Sequence, residues 1–165
     1  SGKSTIANKL IQGTGLKYAN IDKFYEWYLK QRKDVDFDRF QNLHDKEYNL
    51  FVQGGLGVMI DGTGRNQEKI KKIKDELEAN GYSTMMIFVN TELETAIARA
   101  SKRERKVDVE FLKQAHADSQ RNIGSFQAMF GDDFVVVDNT GTPNLEYLEK
   151  RFRRFLNSPV RKKAA

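Results

Sequence analysis

Apolar positions along the chain fall into two patterns, short continuous runs and longer stretches with apolar residues at three- and four-residue steps. The continuous runs predict β-strands at 16–21, 58–60, 82–89 and 134–137. The periodic stretches predict α-helices at 5–12, 24–33, 37–53, 66–81, from 92 onward, 108–129 and 144–156. Strands that are apolar throughout and separated by helices are typical of a parallel sheet with helices on both faces. The pattern therefore predicts an α/β fold, without an internal repeat.

Polar residues and glycines mark the ends of these helices. Asn66, Thr91 and Asp108 each precede a periodic stretch, and we expect their side chains to accept hydrogen bonds from first-turn amides. Glycines follow two other stretches, where the left-handed conformation ends a helix at little cost, at Gly13, Gly15, Gly54 and Gly55. These signals predict where loops begin.

The composition excludes several classes of protein. With 39% hydrophobic and 31% charged residues over 165 positions, the chain is typical of a soluble globular domain. No apolar run approaches the roughly 18 residues of a membrane helix, and the absence of cysteine excludes disulfides and thiolate chemistry. His44 and His116 lie far apart, so we expect ordinary surface or hydrogen-bonded roles. We expect one cytoplasmic domain over 1–157 and a disordered basic tail over 158–165.

The positive charge belongs to the end of the chain. The net charge is +5, but residues 150–165 carry seven cations and no acid. Residues 1–149 alone therefore have a net charge of −2. A basic tail can contact nucleic acid or another acidic partner, and it can equally be the solvated end of the last helix.

The first residues match part of a phosphate-binding loop. Such a loop reads G-x-x-x-x-G-K-[ST] between a strand and a helix, and Ser1-Gly2-Lys3-Ser4-Thr5 supplies its second half. Backbone amides from Gly2 to Thr5 can point at phosphate oxygens at the positive end of the helix dipole. The Lys3 ammonium can reach the β- and γ-phosphates of ATP, and the Ser4 hydroxyl can coordinate Mg²⁺. The sequence therefore predicts a site for ATP and magnesium.

Two aspartates follow predicted strands, at the edge where open parallel sheets bind ligands. Asp61 follows Val58-Met59-Ile60 and can hold Mg²⁺ or orient the acceptor; a simple turn cap is the structural alternative. Asp22 follows the first strand, where a nucleotide-type kinase places the base that receives the acceptor proton. It could instead cap a helix beginning at Lys23, and both roles could hold together.

A basic cluster lies between two predicted helices. Guanidinium groups stabilise the charge that spreads over a transferring phosphoryl group, and a closing lid could carry them; the candidates are Arg99, Arg103 and Arg105. A solvated helix end is the alternative. Arg65 could bind the acceptor or a phosphate, and Asn139 could line the adenine pocket, although a turn explains Asn139 equally well.

In order, these motifs resemble the group of P-loop kinases that contains polynucleotide 5′-kinases and zeta-toxin-like kinases, over residues 1 to about 140. The resemblance rests on the loop, Ile21-Asp22, Ile60-Asp61-Gly62-Thr63-Gly64-Arg65, the basic segment 99–107 and Val137-Asp138-Asn139-Thr140. It implies a three-layer P-loop sandwich with strand order 2-3-1-4-5, ATP·Mg²⁺ as donor, a hydroxyl acceptor and an arginine lid.

The chain departs from that group at two points. Its members often carry an arginine three residues after the base aspartate, where it binds an acceptor phosphate, and this chain has Tyr25. Lys23, Arg32 or Arg39 could replace that arginine as substrate-binding residues. The first strand of the fold would precede residue 1, so we expect it to be absent from this chain.

Three functions remain open from the sequence. The first is a kinase that phosphorylates a hydroxyl group of a polynucleotide, a nucleotide or a small metabolite. The second is an ATPase without an acceptor, which would need a glutamate beside Asp61 to polarise water, where this chain has Gly62. The third is a nucleic-acid-binding module that uses the basic tail.

Overall fold

The computed structural model of the protein describes residues 2–31, 36–102 and 107–160. The chain divides into two compact units. The N-terminal unit consists of Lys3–Gly62, and the C-terminal unit consists of Thr63–Ala165 together with Ser1–Gly2. The prediction of one domain with a tail at 158–165 stays a prediction, and residues 161–165 lie outside the described part.

Within its described residues, the N-terminal unit contains three helices and a parallel strand pair. Its elements are α1 (Lys3–Ile11), β1 (Lys17–Ala19), α2 (Asp22–Lys30), α3 (Phe37–Gln53) and β2 (Val58–Ile60). Ile6, Leu10 and Ala19 are buried in its core. The rings of Tyr28 on α2 and Phe40 on α3 meet edge to face with centroids 4.6 Å apart. Aromatic packing therefore fixes α2 on α3.

The C-terminal unit contains five helices and a second parallel pair among its described residues. Its elements are α4 (Gln67–Ala79), β3 (Met86–Asn90), α5 (Leu93–Ser101), α6 (Val109–Arg121), α7 (Ile123–Phe130), a 3₁₀ turn (Gly131–Asp133), β4 (Phe134–Asp138) and α8 (Leu145–Asn157). Its core is built on three phenylalanines, Phe88, Phe126 and Phe134, with partly buried residues of α4 and α7 packed against them. This packing holds α7 over β3 and β4.

Both strand pairs are parallel, as the apolar runs predict. β1 pairs with β2 from Lys17–Val58 to Ala19–Ile60, and β3 pairs with β4 from Met86–Phe134 to Asn90–Asp138. These pairs join strands that the predicted order 2-3-1-4-5 places side by side. The order across one sheet and the three-layer sandwich stay predictions. No helix of the described residues is long and apolar enough to cross a membrane.

Two strands are shorter than the apolar runs that predict them, because each extends only as far as its partner. The run 82–89 predicts a strand from Tyr82, but β3 begins at Met86. The partner of Met86 is Phe134, and the residues just before Phe134 form the 3₁₀ turn. Positions 82–85 therefore lie outside the β3–β4 pairing. The run 16–21 is reduced to Lys17–Ala19 in the same way by the length of β2.

Most helix boundaries agree with the sequence. α3 and β2 have the predicted bounds, and the side chains of Asn66 and Asp108 accept first-turn amides as expected. The predicted cap at Thr91 is wrong, because α5 begins at Leu93 after Glu92 and has no side-chain cap. α2 begins at Asp22, not at Phe24, and ends at Lys30 with Gln31 as its C-cap; the last two positions of the predicted helix 24–33, residues 32 and 33, lie outside the described residues.

The single helix predicted over 108–129 is wrong, since the structure breaks it at Asn122. Asn122 ends α6 and precedes α7. Its side-chain Nδ2 donates to the carbonyl oxygens of Gly64 at 3.0 Å and Arg65 at 2.8 Å. A tertiary contact that periodicity does not report therefore fixes the bend.

Replacing Asn122 by Ala should lower the free energy of unfolding by about 1 to 2 kcal/mol, because two carbonyl groups lose a protein donor. Urea denaturation of wild type, Asn122→Ala and the exposed α8 control Asn157→Ala measures it. Equal effects of the two substitutions would contradict the role assigned to Asn122.

Candidate functional site

The phosphate-loop residues stand where α1 begins. Gly2 has a φ of 76°, a conformation that favours glycine, and the helix starts at Lys3. The first amides of a helix have no carbonyl partner within it and carry the positive end of the dipole. The start of α1 can therefore bind an anion. Ser1, predicted to contribute to the loop, lies outside the described residues.

Lys3 and Asp61 meet within the N-terminal unit. The Lys3 Nζ lies 3.4 Å from the Asp61 Oδ1, and the Asp61 side chain is only 11% exposed. Asp61 follows β2 directly, and its backbone amide donates to the Ala19 carbonyl at 3.0 Å, which extends the pairing with β1 by one residue. The sheet edge thus places the carboxylate against the loop lysine.

Tyr18 joins this pair, and the sequence did not single it out. Its hydroxyl donates to the Asp61 Oδ2 at 2.6 Å and accepts from the Asn20 Nδ2 at 3.3 Å. Burial, with the hydrogen bond to Asp61 as the next cause, raises the pKa of Tyr18 to about 12. The signal available in the sequence was the spacing of two, which puts Tyr18 and Asn20 on one face of β1.

Ser4 completes the group around Tyr18. Its side chain lies close enough to Tyr18 to lower the pKa of Tyr18. The Tyr18 hydroxyl already donates its proton to the carboxylate, which can only accept. Ser4 is therefore the donor in this contact. Lys3, Ser4, Tyr18 and Asp61 form one connected set of side chains, which we call the Asp61 cluster.

The oxygen donors of the Asp61 cluster fit magnesium. Mg²⁺ prefers carboxylate, hydroxyl and phosphate oxygens and keeps several waters. Asp61 supplies a carboxylate and Ser4 a hydroxyl, linked through Tyr18. No group of three or more His, Cys, Asp or Glu that could enclose a metal occurs within 2–31, 36–102 and 107–160. The protein side chains therefore suit a metal shared with substrate phosphates.

Asp22 opens α2 and does not end a strand. Its amide donates to the Asn20 Oδ1 at 2.9 Å, so Asn20, and not Asp22, provides the side-chain oxygen at this turn. The Asp22 carboxylate lies exposed in the first helical turn. The Lys23 ammonium pairs with Glu47 on α3 and lies 5.0 Å from the Phe24 ring centroid. Lys23 therefore links two helices in this structure.

The position of Tyr25 is used for packing. Its ring meets Phe40 with centroids 6.0 Å apart. Arg39, one possible replacement for the missing arginine, lies over the Tyr28 ring at 5.7 Å, and Arg32 lies outside the described residues. Trp27 is exposed.

In the C-terminal unit, Asn139 lies against Gly2. A Cβ on Gly2 would approach the Asn139 Nδ2 to 2.4 Å. Asn139 is 8% exposed, and its backbone N–H donates to the backbone carbonyl of Asn90 at 2.7 Å. The absence of a side chain at Gly2 thus allows the backbone to approach the turn after β4. The structure brings these two predicted ATP-binding residues together.

Arg99 binds the same turn. Its Nη1 donates to the Asn139 carbonyl at 2.6 Å and its Nη2 to the Thr140 carbonyl at 3.2 Å. The guanidinium fork is therefore engaged with backbone oxygens, which the basic pattern did not predict. The other predicted lid residues, Arg103 and Arg105, lie outside the described residues.

Arg65 contacts α6. Its Nη2 lies 3.2 Å from the Asp118 Oδ2, and its guanidinium lies 4.9 Å from the Phe111 ring centroid. Hydrogen bonds from Gln114, Arg65 and Arg121 lower the pKa of Asp118. Arg65 thus holds the segment after β2 on α6 in this structure.

The two histidines have the hydrogen-bonded roles expected of them. The His44 Nδ1 lies 3.2 Å from the Asp45 Oδ1, and the His116 Nε2 donates to the Thr91 carbonyl at 2.9 Å.

Comparison with known proteins gives one match. The family model described as Zeta toxin matches residues 1–148, which is most of the chain. No curated protein and no solved structure matches the chain. The matched range includes the loop, both candidate aspartates, the arginine cluster and Asn139.

Replacing Asp118 by Asn should destabilise the protein at neutral pH and have less effect in acid. The folded pKa of Asp118 is below its ordinary value of 3.8, so its stabilisation is present above that value and is lost as pH falls through the folded pKa. Urea denaturation of wild type and Asp118→Asn at neutral and strongly acid pH measures this change. A difference of equal size at both pH values would contradict the assignment.

Proposed function

The chain belongs to the zeta toxin family of P-loop kinases, which use ATP to phosphorylate a hydroxyl group, and we propose that the Asp61 cluster serves this transfer. The observation that carries the proposal is the contact of Lys3 with Asp61 at the end of β2. A loop lysine and a strand-end carboxylate have these roles in P-loop enzymes. The family consists of kinases, which disfavours the acceptor-free ATPase.

The donor side of the reaction is assigned to the start of α1. The Lys3 ammonium and the first amides of α1 supply positive charge for the β- and γ-phosphates of ATP. Ser4 and Asp61 are the residues that would hold Mg²⁺, which when bound neutralises charge on those phosphates. ATP must displace the Lys3–Asp61 contact in part, and Lys3 is 37% exposed and long enough to turn towards phosphate.

Asp22 is assigned as the base. The acceptor hydroxyl oxygen forms a bond to the γ-phosphorus while the bond from that phosphorus to the ADP oxygen breaks. The hydroxyl proton passes to the Asp22 carboxylate. Asp22 is exposed at the first turn of α2, so a substrate hydroxyl can reach it.

The predicted lid arginines are assigned different tasks. Arg99 holds the Asn139–Thr140 turn through its two carbonyl contacts, and we assign it to the placement of that turn. For Arg103 and Arg105 we keep the proposal that their guanidinium groups stabilise the transferring phosphoryl group, a role that arginines on a closing segment can have. Asn139 is proposed to contact the nucleotide.

For the acceptor, a hydroxyl compound without a phosphate beside the reacting group, such as a nucleoside or small metabolite, is favoured. A polynucleotide brings backbone phosphates close to its acceptor hydroxyl, and these need a cation near the catalytic aspartate. The position three residues after Asp22 is a packed tyrosine, Tyr25. Lys23 is paired with Glu47. Labelled ATP with nucleosides, sugars, UDP-N-acetylglucosamine and 5′-hydroxyl oligonucleotides as separate acceptors tests this choice.

A polynucleotide acceptor is the second candidate. Helix α8 carries four cations and no acid after Glu149, namely Lys150, Arg151, Arg153 and Arg154. Phosphorylation of the oligonucleotide alone, with a rate that falls steeply as salt rises, would favour this candidate.

Replacing Lys3 by Ala should reduce kcat/KM by about a hundredfold or more, because the transferring phosphoryl group loses a charged donor. The control is Lys9→Ala, the same change at an exposed position on α1. Steady-state kinetics with labelled ATP compares the two proteins. Wild-type turnover in Lys3→Ala would remove Lys3 from the mechanism.

Replacing Asp22 by Asn should lower kcat by about a hundredfold, the usual contribution of a positioned base, with little change in the KM for ATP. Asp38→Asn is the matched control, because Asp38 is also an exposed aspartate in a first helical turn. The two substitutions remove the same interaction with a helix dipole. Equal kcat values for both variants would exclude Asp22 as the base.

A further inference from the structure

The strand pairing aligns Tyr18 with Asp61. Tyr18 pairs with Met59, and Asp61 follows Met59 by two residues, so both side chains project from one face of the β1–β2 pair. Asn20 follows Tyr18 by two residues and lies on the same face. The C-terminal ends of two strands thus bring three polar side chains together.

The Tyr18 hydroxyl is the point where their contacts meet. It donates to the Asp61 Oδ2 at 2.6 Å, a short bond of the kind expected for a charged acceptor. It accepts from the Asn20 Nδ2 at 3.3 Å. Because the Asn20 nitrogen can only donate, the single proton of the hydroxyl goes to Asp61.

This bond, together with the loop lysine, fixes the plane of the Asp61 carboxylate. Tyr18 binds Oδ2, and the other oxygen, Oδ1, lies 3.4 Å from the Lys3 Nζ. The terminal torsion of an aspartate has broad preferences of its own. Without the hydroxyl, the plane of the carboxylate would rotate more freely, since only Lys3 would then hold the group in place among the described side-chain contacts.

We propose that Tyr18 is a positioning residue of the kinase: its hydroxyl holds the Asp61 carboxylate in the orientation that serves phosphoryl transfer. The inference rests on the function proposed for the Asp61 cluster. In this proposal Tyr18 acts through Asp61 and touches neither ATP nor the acceptor. Loss of its hydroxyl should therefore affect turnover more than the binding of ATP.

The test compares four proteins, wild type, Tyr18→Phe, Asp61→Asn and the double variant. Tyr18→Phe removes one oxygen and keeps the ring. We expect its kcat to fall about tenfold, as for the loss of one hydrogen bond to a charged group, with the KM for ATP within about twofold of wild type. With Asn at position 61, adding Tyr18→Phe should change single-turnover rates less than about twofold, because the two residues act as one unit.

Tyr28→Phe is the matched control. Tyr28 is a buried tyrosine of the same unit, packed on Phe40 and outside the Asp61 cluster, and its kcat should equal that of wild type. Denaturant unfolding of the four proteins gives a second readout, a coupling between Tyr18 and Asp61 that does not depend on activity.

Each result has a defined meaning. A wild-type kcat in Tyr18→Phe overturns the proposal. So does a Tyr18→Phe substitution that lowers the rate by the same factor whether position 61 is Asp or Asn. If the effects of the Tyr18 and Asp61 substitutions on the free energy of unfolding are simply additive, the proposal is also overturned. This readout applies even when turnover of Asp61→Asn is too slow to detect. A wild-type protein that transfers no phosphoryl group to any acceptor contradicts the proposed function itself, and the two failures are thereby distinguished.

Discussion

A carboxylate at the end of an apolar strand loses much of its hydration, and the protein must supply other partners for its oxygens. Asp61 is in this position, and Lys3 and the Tyr18 hydroxyl each face one of its oxygens. The two contacts connect the end of β2 to the start of α1 and to β1. The arrangement of the N-terminal unit around the candidate site depends on these contacts.

Parallel pairing explains why such contacts occur at this edge. Strands that run in one direction end together, so polar residues placed after each strand become neighbours. The backbone amide of Asp61 adds one hydrogen bond to the strand pairing, to the carbonyl of Ala19. Tyr18 and Asn20, on either side of Ala19, lie on the same face as the Asp61 side chain. In the C-terminal unit the same geometry places Asn139, which follows β4, beside Asn90, the last residue of β3. Polar groups at strand ends are thus the structural basis of both candidate regions.

The sequence predicted the elements better than their ends. α3 and β2 agree with the apolar pattern residue by residue, because amphipathic periodicity and a glycine stop are both local signals. The strand from Tyr82 and the continuous helix through Asn122 were wrong, because the length of β4 and the carbonyl groups of Gly64 and Arg65 decide these points. Propensity carries no information about such distant partners.

The sequence by itself determined the family, the kinase chemistry and the identity of Lys3 and Asp61 as candidates, because a phosphate loop and a strand-end acid are short local patterns. The tertiary structure decided how these residues are used. It placed Tyr18 on Asp61, engaged Arg99 with the turn at Asn139, and paired Arg65 with Asp118. A side chain with a charge or a hydroxyl group can serve many partners, and only the packing of strands and helices selects which one lies within hydrogen-bonding distance.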